Sequence, residues 1–205
     1  MKFNTQNIFF ISDFHIGHTN VLRFDNRPFG DVNEMHDILI SNWNSVVKDD
    51  SIVFYLGDLS MKCHPKTVKW FVEQLNGEIH FLMGNHDHYR DIRNLNRFVK
   101  IWGDDDVQGA GKIQIKDDTV KGGWQHIELS HYPILSWNKH HHGAWHLHGH
   151  CHQSMTKNPD MDWYYKRKVI DVGCNGHNYT PLSYSQIKTI MDNKGVSLID
   201  HHESA

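Results

Sequence analysis

Nineteen of the 205 residues are histidine, a supply of neutral nitrogen ligands and near-neutral acids beyond what a core needs. Their placement, together with a few carboxylates and one carboxamide, points to metal chemistry. Asp13 and His15 follow the apolar run at Ile8–Ser12, and Gly57-Asp58 follows Ile52–Leu56. Gly84-Asn85-His86-Asp87 follows Ile79–Met83, His131 follows Ser130, and Gly149 introduces His150 and His152. Seven of these residues, Asp13, His15, Asp58, Asn85, His131, His150 and His152, offer three oxygen donors and four imidazoles. One tetrahedral zinc site takes four ligands, so two ions fit better. A mixed oxygen and nitrogen set without thiolate suits divalent transition metals better than Mg²⁺ or Ca²⁺; Mn²⁺ is the favoured choice, with Fe²⁺, Zn²⁺ or Ni²⁺ as alternatives. The competing explanation is ordinary capping, turn-making and buried histidine, and it requires every member to fall after a strand by chance.

The elements that must position these groups are legible as apolar patterns. Ile8–Ser12, Ile52–Leu56 and Ile79–Met83 are continuous apolar runs of strand length, as expected for neighbours in a sheet buried on both faces. Between the first two, a capping-box pattern Asp31-x-x-Glu34 precedes Met35, Ile38, Leu39, Trp43 and Val46 at helical spacing. Between the second and third, Pro65 precedes Val68, Phe71, Val72 and Leu75, with Gly77 after the last apolar position. The order βαβαβ predicts a largely parallel sheet whose carboxyl ends bring the first polar groups into one crevice. Asp13 and His15, and likewise His150 and His152, are two apart and should share one side of an extended segment. Gly57, Gly84 and Gly149 permit tight turns and close backbone approach.

Beyond residue 85 the pattern loosens. Arg90, Arg93, Arg97 and Lys100 predict a basic helical face, and Gly103–Asp106 and Gly109–Gly111 predict breaks. Shorter strands are expected at Lys112–Ile115, His126–Ser130, Ala144–His148 and Val169–Val172, forming a second, more antiparallel sheet. Ser183-x-x-Gln186 predicts a helix through Ile187, Ile190 and Met191, followed by a last strand at Val196–Ile199. Residues 1–205 are expected to form one domain. Trp43, Trp70 and Trp145 are assigned to the core, His140–His142 to a loop, and His201 and His202 to an exposed tail.

Asp13-x-His15, Gly57-Asp58, Gly84-Asn85-His86-Asp87, His131 and Gly149-His150-x-His152, in that order, resemble the calcineurin-like metallophosphoesterase superfamily. The stretch Ser12-Asp13-Phe14-His15-Ile16-Gly17-His18-Thr19-Asn20, with Arg27-Pro28-Phe29 and Asn42-Trp43-Asn44, is similar to its small bacterial and phage-type phosphoesterases. That resemblance implies an α/β fold, a four-layer α/β/β/α sandwich, and hydrolysis of a phosphoester by attack of a metal-bridging hydroxide. It assigns Asp13, His15 and His152 to one ion, Asn85, His131 and His150 to the other, and Asp58 to both. It also implies that His86 protonates the leaving alkoxide. Asp87 is a candidate to orient its ring or to cap the next helix, and His18 and Arg27 are candidates to contact phosphate or, respectively, to brace the loop and to tie down the crossover to the helix. Serine/threonine protein phosphatases carry an arginine soon after Gly-Asp. Here Gly57-Asp58-Leu59-Ser60-Met61-Lys62 has none, which favours a phosphodiester over a phosphomonoester.

Composition narrows the remaining classes. With 39% hydrophobic and 12% aromatic residues the chain is neither disordered nor collagenous. A formal charge of −3 and a sequence pI near 6.7 argue against an extended nucleic-acid footprint. The expected partner is a small phosphoester, nucleotide-like in character. Cys63, Cys151 and Cys174 form no even disulfide framework, and the apolar run near the N-terminus is too short for a signal peptide or membrane span, so a cytoplasmic protein is expected. The competing functions are a nuclease acting on RNA or DNA ends, served by the Arg90–Lys100 face, and a catalytically silent metal-binding interaction module. The presence of His86 argues against the silent module.

Overall fold

A computed structural model describes residues 1–104 and 108–196. In chain order the elements are β1 (Lys2–Phe3), β2 (Ile8–Ile11), α1 (Thr19–Phe24), α2 (Val32–Val46), β3 (Ile52–Tyr55), α3 (Pro65–Glu73), β4 (Glu78–Leu82), α4 (Tyr89–Asn94), β5 (Phe98–Trp102), β6 (Ala110–Lys116), β7 (Trp124–Ser130), β8 (Trp145–His148), α5 (Asp162–Tyr165), β9 (Val169–Asp171), β10 (Leu182–Ser183) and α6 (Tyr184–Asp192). They form two five-stranded sheets, ordered β10-β2-β3-β4-β5 and β1-β6-β7-β8-β9. Helices flank the pair in the manner of the metallophosphoesterase sandwich.

The continuous apolar runs are explained by burial on both faces. Along β3, Val53 and Tyr55 join a core with Met35, Leu39 and Trp43 of α2 and Val68 and Phe71 of α3, while Phe54 points the other way. There it meets Phe10 and Leu82 of its own sheet and Ile113, Ile127, Leu129 and Leu147 of the second, so the inter-sheet core is filled by the alternate residues of the same strands. Trp43 is fully buried and its indole N–H donates to the Asn76 carbonyl. Truncation to Ala at such a position costs about 3–5 kcal/mol. Outside the second sheet a smaller cluster of Trp137, Ala144, Tyr164 and Val169 is built around α5.

Helix starts follow the sequence closely, with one difference. At α6 both halves of the Ser183/Gln186 capping box form. At α2 the Asp31 carboxylate accepts from the Asn33 and Glu34 N–H groups, but the Glu34 carboxylate reaches past Asp31 to the Gly30 N–H.

Larger differences lie in the second half. Only β6–β7 is antiparallel in the second sheet; β1–β6, β7–β8 and β8–β9 are parallel. Parallel pairing follows from the long connections before β8 and β9, which cross over rather than turn back. The expected basic helical face is broken: α4 ends at Asn94, Arg97 caps the Leu75 and Gly77 carbonyls, and Lys100 lies on β5. Trp43 and Trp145 are core residues, but Trp70 is 46% exposed. His140–His142 forms a 3₁₀ turn. Val196 is outside any strand; the rest of the expected Val196–Ile199 strand, Asp105 and Asp106 of the expected break, and His201 and His202 lie outside the described residues. Among the described residues no helix is long and apolar enough to cross a membrane.

Candidate metal centre

All seven donor residues fall just past strand ends: Asp13 and His15 after β2, Asp58 after β3, Asn85 after β4, His131 after β7, and His150 and His152 after β8. The backbone that presents them is not extended. Asp13 (φ 64°), His15 (φ 53°), Asp58 (φ 58°), His150 (φ 68°) and His152 (φ 46°) are all left-handed. The expectation that the paired residues share a side by strand alternation is therefore replaced by successive sharp turns. Each such residue costs roughly 1–2 kcal/mol relative to ordinary geometry, and strain of this kind collects where the surrounding structure needs it. Space is equally constrained. A Cβ on Gly84 would strike Asp58, and one on Gly149 would strike Ser12 and Asp13, so only glycine lets these loops close on the carboxylates.

The donors form two groups. Asp13, His15 and His152 bring one ligand atom each to within 4.8 Å of one another, and so do Asp58, His131 and His150. In the first group the His15 and His152 Nε2 atoms are 3.0 Å apart, with Asp13 Oδ1 3.7 Å from the latter. In the second, Asn85 Oδ1 lies 2.9 Å from both His131 Nε2 and His150 Nδ1. Asp58 faces both groups, Oδ2 being 3.6 Å from His15 Nε2 and Oδ1 3.5 Å from His131 Nε2. Two imidazole nitrogens pointed at each other beside a carboxylate need a shared proton or cation between them. The oxygen and nitrogen donor set fits a first-row divalent ion in each group.

Burial and pairing set the charge of these groups. Burial raises Asp13 to about 7 and lowers His15 to about 3. Asp58 is pushed up by burial, but the hydrogen bond and charge of His131 outweigh this and bring it to about 2. His131 is pushed down by burial, and its hydrogen bond to Asp58 and the charges of Asp13 and Asp58 lift it to about 9.

A surrounding layer fixes the donors. Ser12 Oγ donates to Asp13 Oδ2 at 2.6 Å and the His150 N–H to the same oxygen at 3.0 Å. His131 Nδ1 lies 2.8 Å from the Leu56 carbonyl, which holds the proton there and turns Nε2 inward. His152 Nδ1 lies 2.7 Å from Asp25 Oδ2, a carboxylate–histidine pair of the kind that supports metal ligands.

Two expected site residues do different work from that assigned to them. The Arg27 side chain is fully buried, donating to the Asp13 and Phe14 carbonyls at 2.8 Å and pairing with Asp25 at 3.2 Å. It braces the ligand loop, and no donor is left for substrate phosphate. Asp87 does not orient His86: its carboxylate accepts the N–H groups of Asp58 (2.7 Å), Gly84 (2.8 Å) and Leu59 (3.0 Å), tying the second and third loops together. His86 itself is exposed, its N–H donating to Asp58 Oδ1 at 2.9 Å and its ring centroid 5.5 Å from that of His15. His18 is partly exposed, its ring centroid 6.0 Å from that of His15.

Sequence reasoning passed over Asp25 and Asp171. Asp171 accepts the Gly173 and Gln153 N–H groups and so anchors the loop after His152. A signal for it existed, since it ends β9 as the other polar groups follow their strands. Asp25 had none, because it lies in a turn after α1 and meets its partner 127 residues away.

A model of the calcineurin-like phosphoesterase family matches residues 6–181, and the chain belongs to that family. An uncharacterised protein of Methanocaldococcus jannaschii is 34% identical over 187 residues, covering 90% of this chain and 91% of its own length. Gene 66 proteins of two Mycobacterium phages are 29% and 28% identical, over 82% and 86% of this chain and 86% and 92% of theirs. A crystal structure of a protein of unknown function from Aquifex aeolicus superposes with a TM-score of 0.67 at 20% identity, covering 89% of this chain and 98% of that one, and it shares the fold. Family and paired clusters together define a hydrolase with a dinuclear metal-dependent phosphoesterase site.

Proposed function

We propose that this centre hydrolyses a small, nucleotide-like phosphodiester in preference to a phosphomonoester, with Mn²⁺ as the favoured metal. In this reading Asp13, His15 and His152 hold one ion, Asn85, His131 and His150 the other, and Asp58 both. The observation that carries it is Asp58, whose two oxygens face one imidazole of each group at 3.6 and 3.5 Å. These residues would hold two divalent ions, which would supply Lewis acidity and a water of lowered pKa. His86, exposed beside the centre, gives a proton from its imidazole to the leaving alkoxide. Its hydrogen bond to Asp58 and the Asp87 brace keep that ring beside the ligands. His18 is the remaining candidate for a phosphate contact.

The preference for a diester is supported by charge. Arg27 is turned away into the protein, and the loop after Asp58 offers only Lys62, so little fixed positive charge favours a dianionic monoester over a monoanionic diester. Three free thiols support a reducing compartment, hence the cytoplasm. The test compares bis(p-nitrophenyl) phosphate with p-nitrophenyl phosphate in saturating Mn²⁺, in the wild type and in His86→Asn. Expected are a higher kcat/KM on the diester and a loss in the variant approaching 10²–10⁴-fold on alkyl leaving groups, smaller on nitrophenyl. A monoester preference of about tenfold, or equal losses on both leaving groups, overturns the respective claim.

A further inference from the structure

A groove of about 470 Å³ lies between α3 and α4, outside the metal centre but built from the same two loops. Ser60, two residues past Asp58, lines one side, and Arg90, four residues past His86, lines the other. Its apolar surface comes from Cys63, Val68, Ile92 and Leu95. Its charged surface comes from Lys66, Lys69 and Arg90 against one carboxylate, Asp91. Lys69 is engaged with Glu73 at 3.7 Å, whereas Lys66 and Arg90 are exposed and in no ion pair among the described residues. In a chain of net charge −3, a groove lined by three cations and one carboxylate runs against the overall charge.

The groove's place in the chain gives it a role, since its lining residues belong to the segments that directly follow Asp58 and His86. Resting on the reading of the site above, His86 protonates the leaving oxygen, so whatever that oxygen carries must lie on the His86 side, where α4 and the groove begin. The volume is that of a small-ligand site. An apolar floor accepts a flat base, and an arginine with a lysine at the rim matches a phosphate. We propose that this groove binds the leaving group of the substrate, and that the leaving group is a nucleoside carrying a phosphate besides the scissile one.

Binding can be tested without turnover. Isothermal titration of the chelated full-length protein with thymidine 3′,5′-bisphosphate should give saturable one-site binding. Lys66→Glu combined with Arg90→Glu should weaken it by about tenfold or more, the worth of roughly one charge-assisted contact. Asp58→Asn should leave it unchanged. Absence of saturable binding, or equal affinity in the double variant, overturns the proposal.

Turnover separates this claim from the reading of the centre. Terminally phosphorylated thymidylyl-thymidine should show a kcat/KM about tenfold above the unphosphorylated dinucleotide, and the double variant should lose that gain while cleaving bis(p-nitrophenyl) phosphate like the wild type. If the nitrophenyl diester is cleaved but the terminal phosphate brings no gain, the groove assignment is wrong and the metal-centre reading survives. If bisphosphate binds as expected but no diester is cleaved with any of the candidate metals, the metal-centre reading fails and the groove survives as a binding site.

Discussion

The two donor groups are alike in composition and differ in what holds them. The first, Asp13, His15 and His152, is braced by ionised residues: Asp25 on His152, and Arg27 on the Asp13 and Phe14 carbonyls. The second, Asp58, His131 and His150, is held by the Leu56 carbonyl on His131, the Asn85 carboxamide between the two rings and the Asp87 carboxylate on the Asp58 N–H. Asp58 faces an imidazole of each group, and Asp13, a member of the first, also accepts the His150 N–H of the second. With the Asp25 carboxylate behind His152, the first group should retain its cation longer against a chelator. A dinuclear centre can thus pair a half buttressed from outside by an ion pair with a half made largely from strand ends.

Asp58→Asn should have the largest effect, because it removes the one charge common to both halves. Metal analysis should show both ions weakened and activity falling further than for loss of any ligand confined to one group. A fully active variant holding one ion would break the dinuclear comparison. Next comes Arg27→Met, expected to cost about 3–5 kcal/mol in urea unfolding, because it strands Asp25 and leaves two carbonyls without donors. If stability is unchanged and only KM rises, Arg27 is a substrate contact and the charged brace is wrong.

Asp25→Asn should act on the first half alone, lowering the affinity for one ion by about 10–100-fold while the other is retained. Equal loss of both ions in a competition titration would mean that the two halves share their outer support. The smallest effect concerns pH. In the ion-free protein His131 is raised from 6.5 to about 9, so its contribution to stability is complete below 6.5 and fades as pH rises toward 9. Asp13, raised from 3.8 to about 7, acts in the same direction at lower pH. Asp58, lowered to about 2, has given its full contribution by pH 6.5, and His15, lowered from 6.5 to about 3, completes its own just above that pH, a gain smaller than the loss at His131. The chelated protein should therefore lose melting temperature between about pH 6.5 and 8, whereas the Mn²⁺-loaded protein should not, since cation binding is favoured as His131 loses its proton. Parallel behaviour of the two forms would show that His131 is not exchanging a proton for a cation.

Much of the site was legible before any coordinates. Continuous apolar runs mark strands buried on both faces, and a polar residue just past such a run is placed at the crevice by the connectivity of a parallel sheet, whatever the fine geometry. That reasoning reached the six residues of the two clusters and Asn85 beside them, because strand ends are set by local sequence and by the period of burial. It failed where a residue's role depends on a distant partner. Arg27 could have faced a phosphate or the protein until the Asp13 and Phe14 carbonyls were seen around it, and Asp87 could have served His86 until three backbone N–H groups claimed its oxygens. The same holds for β5, whose Phe98 and Ile101 pair with β4 after a helix shorter than the basic spacing suggested. It holds again for the left-handed turns at Asp13, His15, Asp58, His150 and His152, since Asp and His are enriched at positive φ but most of them still adopt a negative one. Hydrophobic periodicity is a property of single segments and can be read one segment at a time. Hydrogen-bond pairing, charge state and backbone strain belong to pairs of segments, and only the tertiary structure brings those pairs together.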